Sequence, residues 1–320
     1  MYNSLADKTK QFFWLIIKLS IVIGCLFFIY IRLLENEQLE FTTFYQNLIQ
    51  NHIFSVKNIL FLLFFTFLNW FLEIKKWHLL ISFIGNYSFK KAIIQSLASL
   101  TASLITPNRI GEYGAKAMYF NKKDRKKIFG LNFIGNFYQM LMTLIFGIIG
   151  FSYFVFQHKI EIDFQQIIIF SVIGIFGITA LFFVAKYFNF SKSYFNKTRT
   201  FIKEIPQNMN IKVSLFSFLR FVIFSHQFYF LLLIFKIDIS YFDAISAITS
   251  VYLIASIIPM LSLFDVVLKG SVAIWVFSFF NNISPLTILS TTTLMWILNF
   301  VLPAIVGSYF VIIFKPNLAT

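Results

Sequence analysis

Apolar residues run unbroken over positions 12–34, 58–80, 128–156, 165–185, 213–235 and 286–314. A bilayer crossing needs about 20 such residues, so these six runs predict full transmembrane helices. Two more apolar stretches, 92–120 and 243–280, are each interrupted by a proline, in Thr106-Pro107-Asn108-Arg109-Ile110-Gly111 and in Ile258-Pro259-Met260-Leu261-Ser262. Proline removes a bond from the helical ladder and disfavours helix at the residue before it. The pieces ahead of the breaks, 92–106 and 243–258, reach only about 22–24 Å at 1.5 Å per residue, short of a roughly 30 Å hydrocarbon core. They predict helical hairpins that enter the membrane and leave by the same face.

Loop charge supports that reading, because basic residues collect on the cytoplasmic side. Lys90 and Lys91 precede the first broken stretch, and Lys122, Lys123, Arg125, Lys126 and Lys127 follow it. Both of its ends therefore read as cytoplasmic. The second stretch follows Lys236, Asp238 and Asp243 and ends on the uncharged Asn281-Asn282-Ile283-Ser284, so both of its ends read as external. With the N-terminus inside and the six full helices alternating, 18 loop Lys and Arg lie inside and four (Arg32, Lys57, Lys159 and Lys236) outside. A single crossing by either hairpin destroys this bias. The predicted fold is an all-α integral membrane protein, one polytopic domain over 1–320 with both termini cytoplasmic. The unit 58–156 and the unit 213–314 then run in opposite senses. That is an inverted repeat, which brings discontinuous helices face to face near the midplane.

Composition removes the competing classes. Of 320 residues 58% are hydrophobic, 20% aromatic with 46 Phe, and only 12% charged. A soluble domain carries about 25% charged residues, so lipid is the main solvent here and disorder or a soluble enzyme is excluded. The net charge of +14 belongs to short cytoplasmic loops and an anionic leaflet, and no basic stretch lies in a module that suits nucleic acid. The single Cys25 lies inside the first apolar run and forms no internal disulfide. Behind the short basic N-terminus, the run from Phe12 to Leu34 is too long for a signal-peptide core and predicts a retained helix.

Candidate chemistry sits in the broken stretches. After Pro107 come Glu112 and then Lys116; after Pro259 come Asp265 and then Lys269, each acid four residues before its lysine. That spacing places acid and base on one helical face. Small residues flank both pairs, Gly111, Gly114 and Ala115 in one and Gly270, Ser271 and Ala273 in the other, allowing close backbone approach. Charge inside a membrane segment is costly enough to mark a site by default, although each pair also reads as self-neutralising or snorkelling. Arg109, in the break itself, is either an anion contact or an interfacial arginine. Arg220 is either a second anion contact or a snorkelling side chain. His226 reads as an interior hydrogen-bonded histidine, and Glu73-Ile74-Lys75-Lys76-Trp77-His78 as a cytoplasmic helix end acting as an anchor. The four histidines show no metal-ligand spacing, and no Walker loop, G-x-S-x-G elbow or dinucleotide fingerprint is present, so the chain predicts neither a cofactor, a metal nor an enzyme.

The stretch Ser99-Leu100-Thr101-Ala102-Ser103-Leu104-Ile105-Thr106-Pro107-Asn108-Arg109-Ile110-Gly111-Glu112, the helix Asn69-Trp70-Phe71-Leu72-Glu73-Ile74-Lys75-Lys76-Trp77 and the Pro259 hairpin resemble the lysylphosphatidylglycerol synthase transmembrane region, the flippase-like inner-membrane family. The likeness runs from about residue 12 to 314 and lacks the soluble aminoacyltransferase part that full-length members carry. After Pro259 the chain has Ser262-Leu263-Phe264-Asp265 where the family is Gly-rich. The resemblance implies lipid translocation without lysyl transfer. The residues expected to meet an anionic lipid headgroup are Arg109, Glu112, Lys116, Arg220, Asp265 and Lys269, arranged on the breaks at Pro107, Gly111 and Pro259. A non-transporting partner of a lipid- or glycan-modifying enzyme is the alternative from another class, and a membrane-embedded transferase with Glu112 or Asp265 as base is a third.

Overall fold

The computed structural model describes residues 41–104, 106, 109–160, 200, 201, 204–257 and 265–314, together with the isolated helical positions 16, 19, 20, 23 and 27. The expected spans 12–34 (those isolated positions apart) and 165–185 lie outside the described residues, as do Pro107 and Pro259.

The described chain is all-helical. A short helix α1 (Phe41–Gln50) leads into the long α2 (Val56–Ile81). Then come two short helices, α3 (Phe89–Leu104) and α4 (Gly111–Met118), and a long one, α5 (Arg125–His158). The order repeats as the long α6 (Gln207–Ile234), the short α7 (Tyr241–Ile257) and α8 (Asp265–Phe277), and a final long element. That element is α9 (Pro285–Trp296), a π-helical turn (Ile297–Val301) and α10 (Leu302–Ile313). Among the described residues, four helices are long and apolar enough to cross a membrane: α2, α5, α6 and the continuous Pro285–Ile313. The molecule is a multi-pass membrane protein. Helices α3 and α7, of 16 and 17 residues, reach about 24–26 Å and fall short of a crossing.

Pairing between the two halves follows one rule. The first long helices, α2 and α6, pack on each other; the last long helix of each half packs on the first short helix of the other, α5 on α7 and α10 on α3. Small residues make both cross-contacts. A Cβ on Gly307 of α10 would lie 2.2 Å from the Leu97 carbonyl of α3, and one on Gly150 of α5 would lie 1.9 Å from Thr249 Oγ1 of α7. Thr101 Oγ1 of α3 donates to the Ala304 carbonyl at 2.9 Å, adding a polar tie across the first of these contacts. In lipid, association depends on such backbone approach and on interhelical hydrogen bonds, since the solvent is as apolar as the side chains.

The π turn has a local cause. Pro303 has no N–H to give the carbonyl four residues back, which is that of Asn299. Trp70 Nε1 donates to that carbonyl instead, at 3.0 Å. The distortion turns Asn299 into a hub that joins α2 and α6 to the last long helix. Many phenylalanines are exposed on the outer faces, among them Phe61, Phe64, Phe67 and Phe133, while Phe44, Phe154, Phe228 and Phe277 fill the core.

Candidate functional site, a buried polar spine beside a cationic cavity

The first break is held by Thr106. Its hydroxyl donates to the Ser103 carbonyl at 2.8 Å and accepts the Gly111 N–H at 2.9 Å, ending α3 and starting α4. Gly111 leaves no room for a side chain, because a Cβ would lie 2.8 Å from the Ala102 carbonyl. Arg109 sits in the break with φ of 57°, a left-handed conformation that costs a non-glycine residue about 1–2 kcal/mol. This strained backbone carries the guanidinium into the molecule.

Two matching triads follow. Arg109 Nη2 pairs with Glu112 Oε2 at 3.0 Å, and Glu112 Oε1 accepts from Lys116 Nζ at 2.7 Å. Lys116 also donates to Asn132 Oδ1 at 2.8 Å and lies 4.2 Å from the centroid of the Trp77 ring. In the second triad, Glu73 pairs with Lys76 at 2.8 Å and with Arg220 Nη1. Each carboxylate thus holds one buried lysine and one less buried arginine. The lysine side chains are 2% exposed, against 37% for Arg109 and 19% for Arg220.

Uncharged groups extend the second triad into a spine across the bundle. Arg220 Nε donates to Asn69 Oδ1 at 2.8 Å, and Asn69 Nδ2 donates to Asn299 Oδ1 at 2.8 Å. Asn299 Nδ2 in turn donates to Gln227 Oε1 at 2.8 Å, and Gln227 Nε2 closes on Thr66 Oγ1 at 2.9 Å. With this many partners, polar atoms are satisfied at a depth where an unpaired one costs several kcal/mol.

A cavity of about 280 Å³ opens beside the spine. Arg109, Arg220 and Lys269 line it, together with Asn69, Gln139 and Phe300. Arg109 and Lys269 come from the two broken stretches and meet at one ring: the guanidinium lies 5.8 Å and the ammonium 5.5 Å from the Phe300 centroid. Among the described residues, Arg109 Nε is buried without a hydrogen-bond partner. Four cations against two carboxylates make the two triads net positive, and Lys269 adds to that. Such a lining attracts anions, and arginine pairs phosphate in a bidentate manner.

Of the six expected headgroup contacts, the structure brings Arg109, Arg220 and Lys269 to one cavity. Glu112 and Lys116 are buried behind Arg109 and do not line the cavity. Asp265 is the first residue of α8, and its side chain lies outside those described. The stretch Glu73–His78 does lie toward the end of α2, with Lys75 exposed, but its reading as an anchor is corrected for Glu73, Lys76 and Trp77, which are 8%, 2% and 1% exposed and lie in the interior. The apolar run around them hid the change, because hydropathy cannot tell a face turned to lipid from one turned to protein. Asn69, Gln139, Gln227 and Asn299 were missed. The signal available was an uncharged amide inside an apolar run, sharpened at Asn299 by the proline four residues on. His226 is hydrogen-bonded, its ring nitrogens 2.8 Å from the Val222 carbonyl and 2.9 Å from Tyr241 Oη, but it is only partly buried and its Tyr241 partner is exposed, so the interior placement is corrected. No group of three or more His, Cys, Asp or Glu able to hold a metal comes together among the described residues.

Comparison with protein-family models, with curated proteins and with solved structures finds no match to this chain.

Proposed function

We propose that this protein is a flippase- or scramblase-like transporter that takes the anionic, phosphate-bearing headgroup of a lipid into the cationic cavity and passes it between leaflets of the inner membrane. The observation that carries this reading is the convergence of Arg109 from the first break, Arg220 from α6 and Lys269 from α8 on one cavity. In the same reading the two broken stretches are re-entrant from opposite faces, and the units 58–156 and 213–314 are inverted copies. Cross-packing of α5 on α7 and of α10 on α3 supports it, as do the loop charges and the resemblance of the Pro107 stretch to a flippase-like family.

The triads suit the task. When a headgroup phosphate takes Arg109 or Arg220, Glu112 keeps Lys116 and Glu73 keeps Lys76, so neither carboxylate is left buried without a partner. Exchange of one anion for another then avoids the penalty of stranding a charge. The acyl chains stay in apolar surroundings throughout.

The test is leaflet exchange of fluorescent phosphatidylglycerol in proteoliposomes. Wild-type protein accelerates exchange over empty vesicles, and Arg109→Gln and Lys269→Gln each slow it by about tenfold, the equivalent of one lost charge-assisted contact. Wild-type vesicles that exchange no anionic lipid faster than empty ones overturn the proposal. So do variants that exchange at the wild-type rate, which is the outcome expected of a non-transporting partner.

A further inference from the structure

The cationic cavity has an apolar continuation. A groove of about 370 Å³ lies between α5, α6 and α7, the same three helices that carry Gln139, Arg220 and Tyr252 on the cavity wall. On α5 a single stripe serves both spaces: Gln139 and Thr143 face the cavity, then Phe146, Ile149 and Tyr153 face the groove. Those spacings of three and four residues keep one helical face throughout. On α6, Phe221 lines both spaces and separates them. On α7 the cavity takes Ser256 and Tyr252, and the groove takes Thr249, Ile245 and Phe242 in turn. From Gln139 to Tyr153 the wall runs about 21 Å along α5.

The groove is built to stay open. Gly150 lets α7 approach so closely that no side chain fits there, and the groove wall beside it is formed by Thr249 and Ser246. Its rim is open, with Ile149 62% and Phe242 72% exposed. A polar end and an apolar end on one continuous wall match an amphiphile, and the scale of the wall matches a hydrocarbon chain rather than a second polar group.

Resting on the lipid-handling reading above, we infer that the α5/α6/α7 groove seats one hydrocarbon chain of the lipid whose anionic headgroup occupies the cavity, with Phe221 at the junction of the two. Chain and headgroup are recognised together, so the substrate is a lipid held along its length and not a soluble phosphate compound.

The experiment uses full-length protein in phosphatidylcholine vesicles containing a little phosphatidic acid with a diazirine midway along one acyl chain. After photolysis, label is expected on peptides holding Phe146–Tyr153 and Phe218–His226. Val222→Trp, which fills the groove, lowers that label by about tenfold and slows exchange to match, whereas Leu215→Trp, exposed on α6 outside the groove, leaves both unchanged. Ile149→Trp, on the exposed rim, repeats the measurement should Val222→Trp fail to fold. Equal labelling by a diazirine phosphatidylcholine means ordinary surrounding lipid and overturns the inference. Label that vanishes in Val222→Trp while exchange stays at the wild-type rate overturns it too, as does cross-linking of the groove to the protein's own chain alone. A wild type that labels in the groove yet exchanges nothing overturns the transport reading and leaves the chain seat standing.

Discussion

Glu73 gives the sharpest separation between an interior site and a membrane-surface anchor. Its carboxylate is the only described acid in contact with Lys76 and Arg220, the former 2% exposed. Glu73→Gln keeps the shape and removes the charge, so a buried ammonium loses its counter-ion and Arg220 its pairing. Breaking a buried pair in this way costs about 3–5 kcal/mol, whereas an exposed pair is worth about 0–1 kcal/mol. At about 2–4 °C per kcal/mol, the interior geometry lowers the melting midpoint in detergent by roughly 6–20 °C, and a surface anchor by at most about 4 °C. Intrinsic tryptophan fluorescence on heating reads this directly, since Trp70 and Trp77 flank Glu73 on α2. Glu73→Gln with Lys76→Met removes the stranded ammonium and recovers part of the loss, because an uncharged buried pair no longer strands an ion. A shift below about 4 °C for Glu73→Gln, or a double variant no more stable than the single one, refutes the triad as an energetic unit.

Other expectations follow from contacts of the same kind. Gly307→Ala places a methyl 2.2 Å from the Leu97 carbonyl and forces α10 off α3, with a loss of about 1–3 kcal/mol in the same melt. Gly114→Ala meets nothing within 4 Å inside α4 and gains about 0.5–1 kcal/mol from helix propensity, so the two glycines shift the midpoint in opposite directions. Trp77→Phe strands the Gln95 carbonyl oxygen, which now accepts from Trp77 Nε1 at 2.8 Å, and leaves Lys116 over a smaller phenyl face in place of the indole; about 1–3 kcal/mol is lost. Asn299→Leu cuts the bonds to Asn69 and Gln227 together, and hydrogen exchange of the freed amide partners rises while the apolar packing around them stays intact.

Much of this protein is written in its linear pattern. Four of the six apolar runs fall within described residues, and each is a helix long enough to span: 58–80 lies within Val56–Ile81, 128–156 within Arg125–His158, 213–235 ends one residue past a helix that begins well ahead of it at Gln207, and 286–314 is offset by one residue from Pro285–Ile313. The first break was legible too, since residues 106, 109 and 110 between α3 and α4 are not helical, whereas the break expected at Pro259 lies outside the described residues. Period and punctuation are local properties, carried by residues near each other in the chain. Arg109, Lys116 and Lys269 could be singled out as candidates from the cost of a charge in hydrocarbon.

Which charges meet was not local, and only packing decided it. The i, i+4 pair Glu112–Lys116 could be read from spacing, but Arg220 reaching Glu73 across 147 residues could not. Nor could spacing tell that Lys116 is sealed behind Glu112 while Arg109 and Lys269 converge on Phe300. An apolar helix presents several faces of similar hydropathy, and lipid and protein interior are equally acceptable to a phenylalanine. Orientation is therefore settled by small residues that permit close approach, such as Gly150 and Gly307, and by buried amides that must find partners, such as Asn299. Those are constraints between distant segments, satisfied all at once in three dimensions.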